Sequence, residues 1–130
     1  LSALLEWNDL TLSTPAVACI SAKDQEALQS LKHFLRQNYS AQVDLPRLAQ
    51  MCYMSKSKLT YLFRMLYGTT IYEFVLACRI DRAKELLADQ EKKISEIATL
   101  VGYERQSSFS AAFHQRTGIT PNEFRRQLGN

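Results

Sequence analysis

Seven basic side chains, Lys56, Lys58, Arg64, Arg105, Arg116, Arg125 and Arg126, stand in or beside short segments patterned for helices. Ammonium and guanidinium groups grouped in this way suit phosphate oxygens, to which they donate charge-assisted hydrogen bonds. The segment near residues 55–67 holds Lys56, Lys58 and Arg64 and no acid. Ser57, Thr60 and Tyr61 lie on the side of it opposite Leu59 and Phe63. The segment near residues 106–117 offers Gln106, Ser107, Ser110 and Ala111 around Phe109 and Phe113. The plain alternative is that these are ordinary solvated helix residues. Basic helix surfaces are common for solubility alone.

Other chemistries find little support. His33 and His114 fall on different helical segments, with no Ser/Asp or Cys arrangement implied beside them, and read as surface or boundary residues. The cysteines are Cys19, Cys52 and Cys78, an odd number without a CxxC pair. That pattern argues against a disulfide scaffold or a metal site and for reduced thiols packed as small apolar groups. Asp81, Glu85 and Asp89 interleave with Arg82 and Lys84, as on a solvated helix face with i,i+4 pairing. There is no glycine-rich phosphate loop and no paired-carboxylate motif. No residue is assigned to catalysis, metal or cofactor binding, and the chain reads as a non-enzyme.

The totals agree with a small binding domain. The 130 residues, 46% of them hydrophobic, fit one domain or two very small ones. A net charge of +3 permits an anionic partner without requiring one. No apolar run approaches the roughly 18 residues of a membrane span, and "LSALLEWNDL" lacks the basic start of a leader. Because the chain opens on Leu1, it reads as part of a longer protein, with residues 1–20 a linker or the tail of a preceding domain.

The elements that must position the polar residues are helical. Ser21 and Asp24 mark an N-terminus, and Leu28, Leu31, His33, Phe34 and Leu35 give an apolar face over residues 24–38. Asp44 caps a second helix with Pro46 in its first turn. Ser55 caps a third, which Gly68 ends. Thr70 and Glu73 open a long helix to about residue 88. A fifth helix starts near Ile94, a sixth carries Phe109 and Phe113 to Gly118, and Thr120 and Glu123 cap a seventh. Both threonine caps create positive helix ends suited to phosphate.

The chain repeats itself. Leu45, Leu48, Ala49 and Cys52 recur 49 residues later as Ile94, Ile97, Ala98 and Val101. Leu59, Phe63, Gly68, Thr70, Glu73 and Phe74 recur 50 residues later as Phe109, Phe113, Gly118, Thr120, Glu123 and Phe124. The change of offset falls between the two helices of each copy, where a turn absorbs it. A short helix with a central alanine, a tight turn and a second helix with paired apolar positions is a helix-turn-helix pattern. Gly102 suits a turn that needs positive φ, whereas the aligned residue is Tyr53, so the first turn must avoid that conformation or accept strain.

The pieces "LPRLAQMCYMSKSKLTYLFRMLYGTTIYEFVLACRIDRAKELL" and "ISEIATLVGYERQSSFSAAFHQRTGITPNEFRR" resemble the AraC/XylS family of transcription regulators. The second follows the family signature of I-x-E-I-A, G-Y, S-x-F-S-x-x-F, G-x-T-P and a final F-R. "RIDRAKELL" resembles the joining helix, with Arg79 and Ala83 at the usual places. The likeness covers about residues 24–127. It implies an all-α fold of about seven helices. A first helix-turn-helix subdomain with the linking helix would occupy residues 21–88, and a second would occupy residues 89–130. It further implies sequence-specific binding of double-stranded DNA by two recognition helices in adjacent major-groove segments. A joining helix of about 19 residues would span about 28 Å, enough to set such a separation.

By the same resemblance, Ser57, Thr60, Tyr61, Gln106, Ser107, Ser110 and Ala111 would face base edges. Gln pairs bidentately with adenine, and hydroxyls read either kind of base. Many family members carry Arg where this chain has Tyr61 and again where it has Ala111. Recognition here would then lean on van der Waals contact, DNA shape and phosphate charge. The family implies a bacterial, cytoplasmic, nucleoid-associated protein working with RNA polymerase. Its effector and dimer partner would act through a domain before residue 1. "ISAKDQEALQSLKHFL", "SKSKL" and "FSAAF" are also similar to the branch that senses iron-siderophore complexes. The competing reading is a helical protein-interaction module that binds a partner helix and not DNA.

Overall fold

The computed structural model describes residues 20–129. Among them are seven α-helices and no strand. They are α1 (Ala22–Gln37), α2 (Leu45–Met51), α3 (Lys56–Tyr67), α4 (Ile71–Leu87), α5 (Ile94–Leu100), α6 (Gln106–Thr117) and α7 (Pro121–Leu128). The linker expected over residues 1–20, and Cys19 within it, lie almost wholly outside the described residues.

The caps follow from side-chain chemistry. The Ser21 hydroxyl accepts from Asp24 N–H at 3.0 Å, Asp44 from Arg47 N–H at 3.3 Å and Ser55 from Lys58 N–H at 3.1 Å. Each satisfies a backbone donor that the first helical turn leaves unpaired. Thr120 and Glu123 form a full capping box, with reciprocal bonds of 3.1 and 2.8 Å. The Thr120 N–H donated to Glu123 holds its carboxyl below the usual carboxylate range. The start of α5 has half a box. Glu96 accepts from Lys93 N–H at 2.9 Å, and a lysine ammonium has no lone pair to return. Gly68 and Gly118 end α3 and α6 in the left-handed conformation.

Contacts divide the described residues into two compact units. The first comprises residues 20–34 and 44–71, and the second residues 35–43 and 72–129. A boundary near residue 88 does not match this division. From Tyr72 onward α4 belongs to the second unit, because its buried Ile80, Ala83 and Leu87 share a core with Ile94, Ile97, Ala98, Val101, Phe109 and Phe113.

In the first unit α2 packs on α3. Leu28, Leu31, Leu48, Ala49, Cys52, Leu59, Leu62 and Phe63 are buried there. The expected face of α1 narrows to Leu28, Leu31 and Leu35, while His33 and Phe34 turn outward. Spacings of three and four keep those leucines on one stripe, and residues 33 and 34 fall beside it. Burial raises the Cys52 and Cys78 thiols above their ordinary range, which lowers the share of reactive thiolate.

In the second unit α5 packs on α6 and α6 on α7. The Phe113 ring meets Phe109 at 5.9 Å and Phe124 edge-on at 5.5 Å. Two arginines tie the segments that follow α1 and α4 to this core. Arg79 donates from Nε to the Tyr39 carbonyl at 2.7 Å and from Nη2 to the Ala41 carbonyl at 3.0 Å. Its guanidinium also lies 5.1 Å from the Tyr103 ring centre. Arg125 makes the same fork to the carbonyls of Leu87 and Asp89, both at 3.1 Å. The Leu87 carbonyl ends α4, where the helix leaves acceptors unpaired, and the Asp89 carbonyl just past it also accepts from Lys92 N–H at 3.1 Å.

Candidate nucleic-acid interface

Each unit builds the same local device. Met54 N–H donates to the Ala49 carbonyl at 3.0 Å, and Tyr103 N–H to the Ala98 carbonyl at 2.9 Å. Tyr53 and Gly102 N–H donate to Gln50 and Thr99, both at 3.1 Å. All four partners keep the 49-residue offset. From Ser55 and Arg105, the residues that precede α3 and α6, the offset is 50. Glu104 is therefore the extra residue of the second turn. Tyr53 takes φ +56, so the first turn accepts the strain its sequence threatened. Tyr53 is 88% exposed.

On α3, Leu59, Leu62 and Phe63 are buried and fix which side faces out. Ser57, Thr60 and Tyr61 are exposed on the other side, Tyr61 to 56%. Lys56, Lys58 and Arg64 are exposed as well. The helix carries no acid, but α1 supplies one, since Asp24 pairs with Lys58 at 3.1 Å. Such a surface pair is worth about 0–1 kcal/mol and is easily exchanged for another anion. Sequence spacing gave no sign of it, because the partners are 34 residues apart.

On α6, buried Phe109 and Phe113 do the anchoring. Gln106, Ser107 and Ala111 are exposed, and Ser110 is half-buried at the edge of the face. This helix also lacks acids. Arg105 is its N-cap residue in extended conformation, with no side-chain bond to the helix. A cation at a positive helix end is electrostatically unfavourable, and an uncapped turn costs more. Arg105→Ser is expected to stabilise the second unit by about 1 kcal/mol. Thermal melting checks this, and an unchanged melting temperature would show that the position does not act as a cap.

The seven basic side chains do not all stay available. Lys56, Arg64, Arg105, Arg116 and Arg126 are exposed. Arg125 is half-buried and holds the end of α4, so its guanidinium is committed to backbone carbonyls. That leaves fewer of its five N–H donors for the phosphate role expected from sequence than the exposed cations keep. Arg79, which plays the matching part for residues 39–41, was visible in sequence only as a residue at a family position.

Two helix-turn-helix devices of this form, joined by α4, narrow the comparison with known proteins. A family profile described as a helix-turn-helix domain matches residues 48–127. The chain belongs to the AraC family of helix-turn-helix regulators. It is similar to the probable transcriptional regulator LumQ of Photobacterium leiognathi, 31% identical over 94 residues, 72% of this chain and 38% of that one. It is also similar to the C-terminal domain of AraT, a response regulator from Geobacillus stearothermophilus. That structure has a TM-score of 0.73 and 28% identity, and the match covers 78% of this chain and 84% of that one. The DNA-binding domain of AdpA, solved in complex with a target DNA, shares the fold with a TM-score of 0.72 at 23% identity, covering 78% of this chain and 91% of that one. This AraC-family chain spans 36% to 49% of the length of the first curated relatives it matches. No helix of the described residues is long and apolar enough to cross a membrane.

Proposed function

We propose that this domain binds double-stranded DNA sequence-specifically, with α3 and α6 entering adjacent segments of the major groove. The carrying observation is that each unit presents one twelve-residue, acid-free helix, anchored by a buried aromatic face and open to solvent on the other. A helix of this diameter fits a groove about 12 Å wide. Ser57, Thr60, Tyr61, Gln106, Ser107, Ser110 and Ala111 face the bases in this reading. Lys56, Arg64, Arg105, Arg116 and Arg126 meet phosphates, and Lys58 joins them by exchanging Asp24 for a phosphate.

The test is titration of the chain with nonspecific duplex at about 50 and 200 mM salt. Five or six phosphate contacts release counterions and predict a loss of about 10³-fold in affinity. An affinity indifferent to salt would reject DNA binding and favour the protein-interaction reading. Arg105→Ser, expected to stabilise the fold, is expected to weaken binding to all sequences and reduce the salt slope by about 1. Gln106→Ala is expected to leave the melting curve unchanged and to lower discrimination at one base position by about 1–3 kcal/mol. Unchanged preference in a binding-site selection would remove Gln106 from the reading set.

The wider role we propose is that of the DNA-binding part of a bacterial transcription regulator, held at the nucleoid in the cytoplasm. The effector and dimer contacts belong to another domain of the whole protein, and RNA polymerase is the machinery it regulates. The support is that relatives described as transcriptional regulators are more than twice as long as the match.

A further inference from the structure

We infer that Thr60 reads hydrogen-bond polarity: it selects a base whose major-groove edge carries an exocyclic amino group and disfavours one whose major-groove edge presents a carbonyl. The inference rests on the proposed docking of α3 in the major groove. Thr60 is exposed on the outward side of α3, and its Oγ1 donates to the Lys56 carbonyl at 2.9 Å, one turn earlier. A threonine hydroxyl has one hydrogen and two lone pairs. With the hydrogen held by Lys56, Thr60 offers the groove acceptor lone pairs alone. The same bond selects one of the two χ1 wells that threonine uses in helices, so its methyl is held as well.

Major-groove edges differ in this respect. Adenine N6 and cytosine N4 donate, while guanine O6 and N7 and thymine O4 accept. An acceptor-only side chain satisfies the first pair of bases and sets lone pair against lone pair with the second. Turning the hydroxyl outward to rescue a carbonyl edge would break the Lys56 bond as water leaves the interface, so the rescue gains little. The second unit supplies an internal contrast. Ser110, fifty residues on, has no hydrogen bond from its hydroxyl to a described residue. It retains its hydrogen and reads either polarity. The two subsites are therefore unequal at matched positions, strict in the first and tolerant in the second.

The experiment is a binding-site selection from randomised duplex with the wild-type chain, Thr60→Val and Thr60→Ser. Valine keeps the shape and removes the acceptor, and serine keeps the hydroxyl and its bond one turn back. The wild type is expected to prefer adenine or cytosine over guanine or thymine by about tenfold at one position. Thr60→Val is expected to flatten that position alone, with the salt slope and melting curve unchanged, and Thr60→Ser to retain it. A Thr60→Val profile identical to the wild type, or a wild-type preference for guanine or thymine at the affected position, would overturn the inference while leaving DNA binding intact. Loss of all salt-dependent binding in the wild type itself would overturn the DNA reading and this inference with it.

Discussion

Replacing Phe113 with alanine is expected to cost the second unit about 3–5 kcal/mol, the usual loss when a buried ring is truncated. Small domains have only about 5–15 kcal/mol to lose. Phe113 is fully buried and touches the rings of Phe109 and Phe124, so the cavity would open between α6 and α7. Neighbours fixed by the backbone cannot collapse into it. Chemical denaturation followed by circular dichroism measures the effect, and a midpoint close to wild type would refute the core assignment. Phe113→Leu retains much of the volume and is expected to lose much less. Binding should fall with stability, because the buried ring is what turns Gln106 and Ser107 outward.

Gly102→Ala is expected to destabilise the same unit by about 2–5 kcal/mol. About 1–2 kcal/mol comes from placing a side chain at positive φ, and about 1–3 kcal/mol from the backbone shift that a new methyl forces. Gly102 has φ +104, and a Cβ there would lie 2.5 Å from the Ser40 carbonyl oxygen and 2.9 Å from its Cα. Backbone cannot rotate aside as a flexible side chain does. Residues 39 and 41 are moreover held by Arg79, so Ser40 has little room to retreat. At the matched position of the first turn the sign reverses. Tyr53→Gly relieves about 1–2 kcal/mol of left-handed strain and adds about 0.5–1 kcal/mol of backbone entropy cost, for a net gain of about 0–1.5 kcal/mol. Urea unfolding of both variants tests the pair. Equal effects at the two positions would show that the contact with Ser40 has no energetic weight.

Much of this was legible in the sequence. The two helix-turn-helix copies followed from apolar spacing and punctuation. Leu48/Ala49 and Ile97/Ala98 are buried as a 49-residue repeat predicts, and Gly68 and Gly118 end their helices in the conformation that only glycine adopts cheaply. The outward faces of α3 and α6 followed too, because burying Leu59/Phe63 and Phe109/Phe113 turns the opposite side of each helix to solvent. These are local consequences of helical period, which sequence encodes directly.

What sequence could not reach depends on residues brought together from far apart. The fork of Arg125 onto the end of α4 crosses 36 and 38 positions, and that distance is why this anchoring role was not legible. Asp24 beside Lys58, Ser40 against Gly102 and the membership of α4 in the second unit belong to the same class. The Thr60 bond is local, yet a hydroxyl in a helix has more than one rotamer, and the choice is visible only in coordinates. By itself the sequence determined the helices, their repeat and their outward faces from periodicity and caps, and its motifs carried the resemblance to the family. The tertiary structure alone decided which cations are free, which turn tolerates a side chain and which way a hydroxyl points, because those depend on what a distant segment leaves exposed or unpaired.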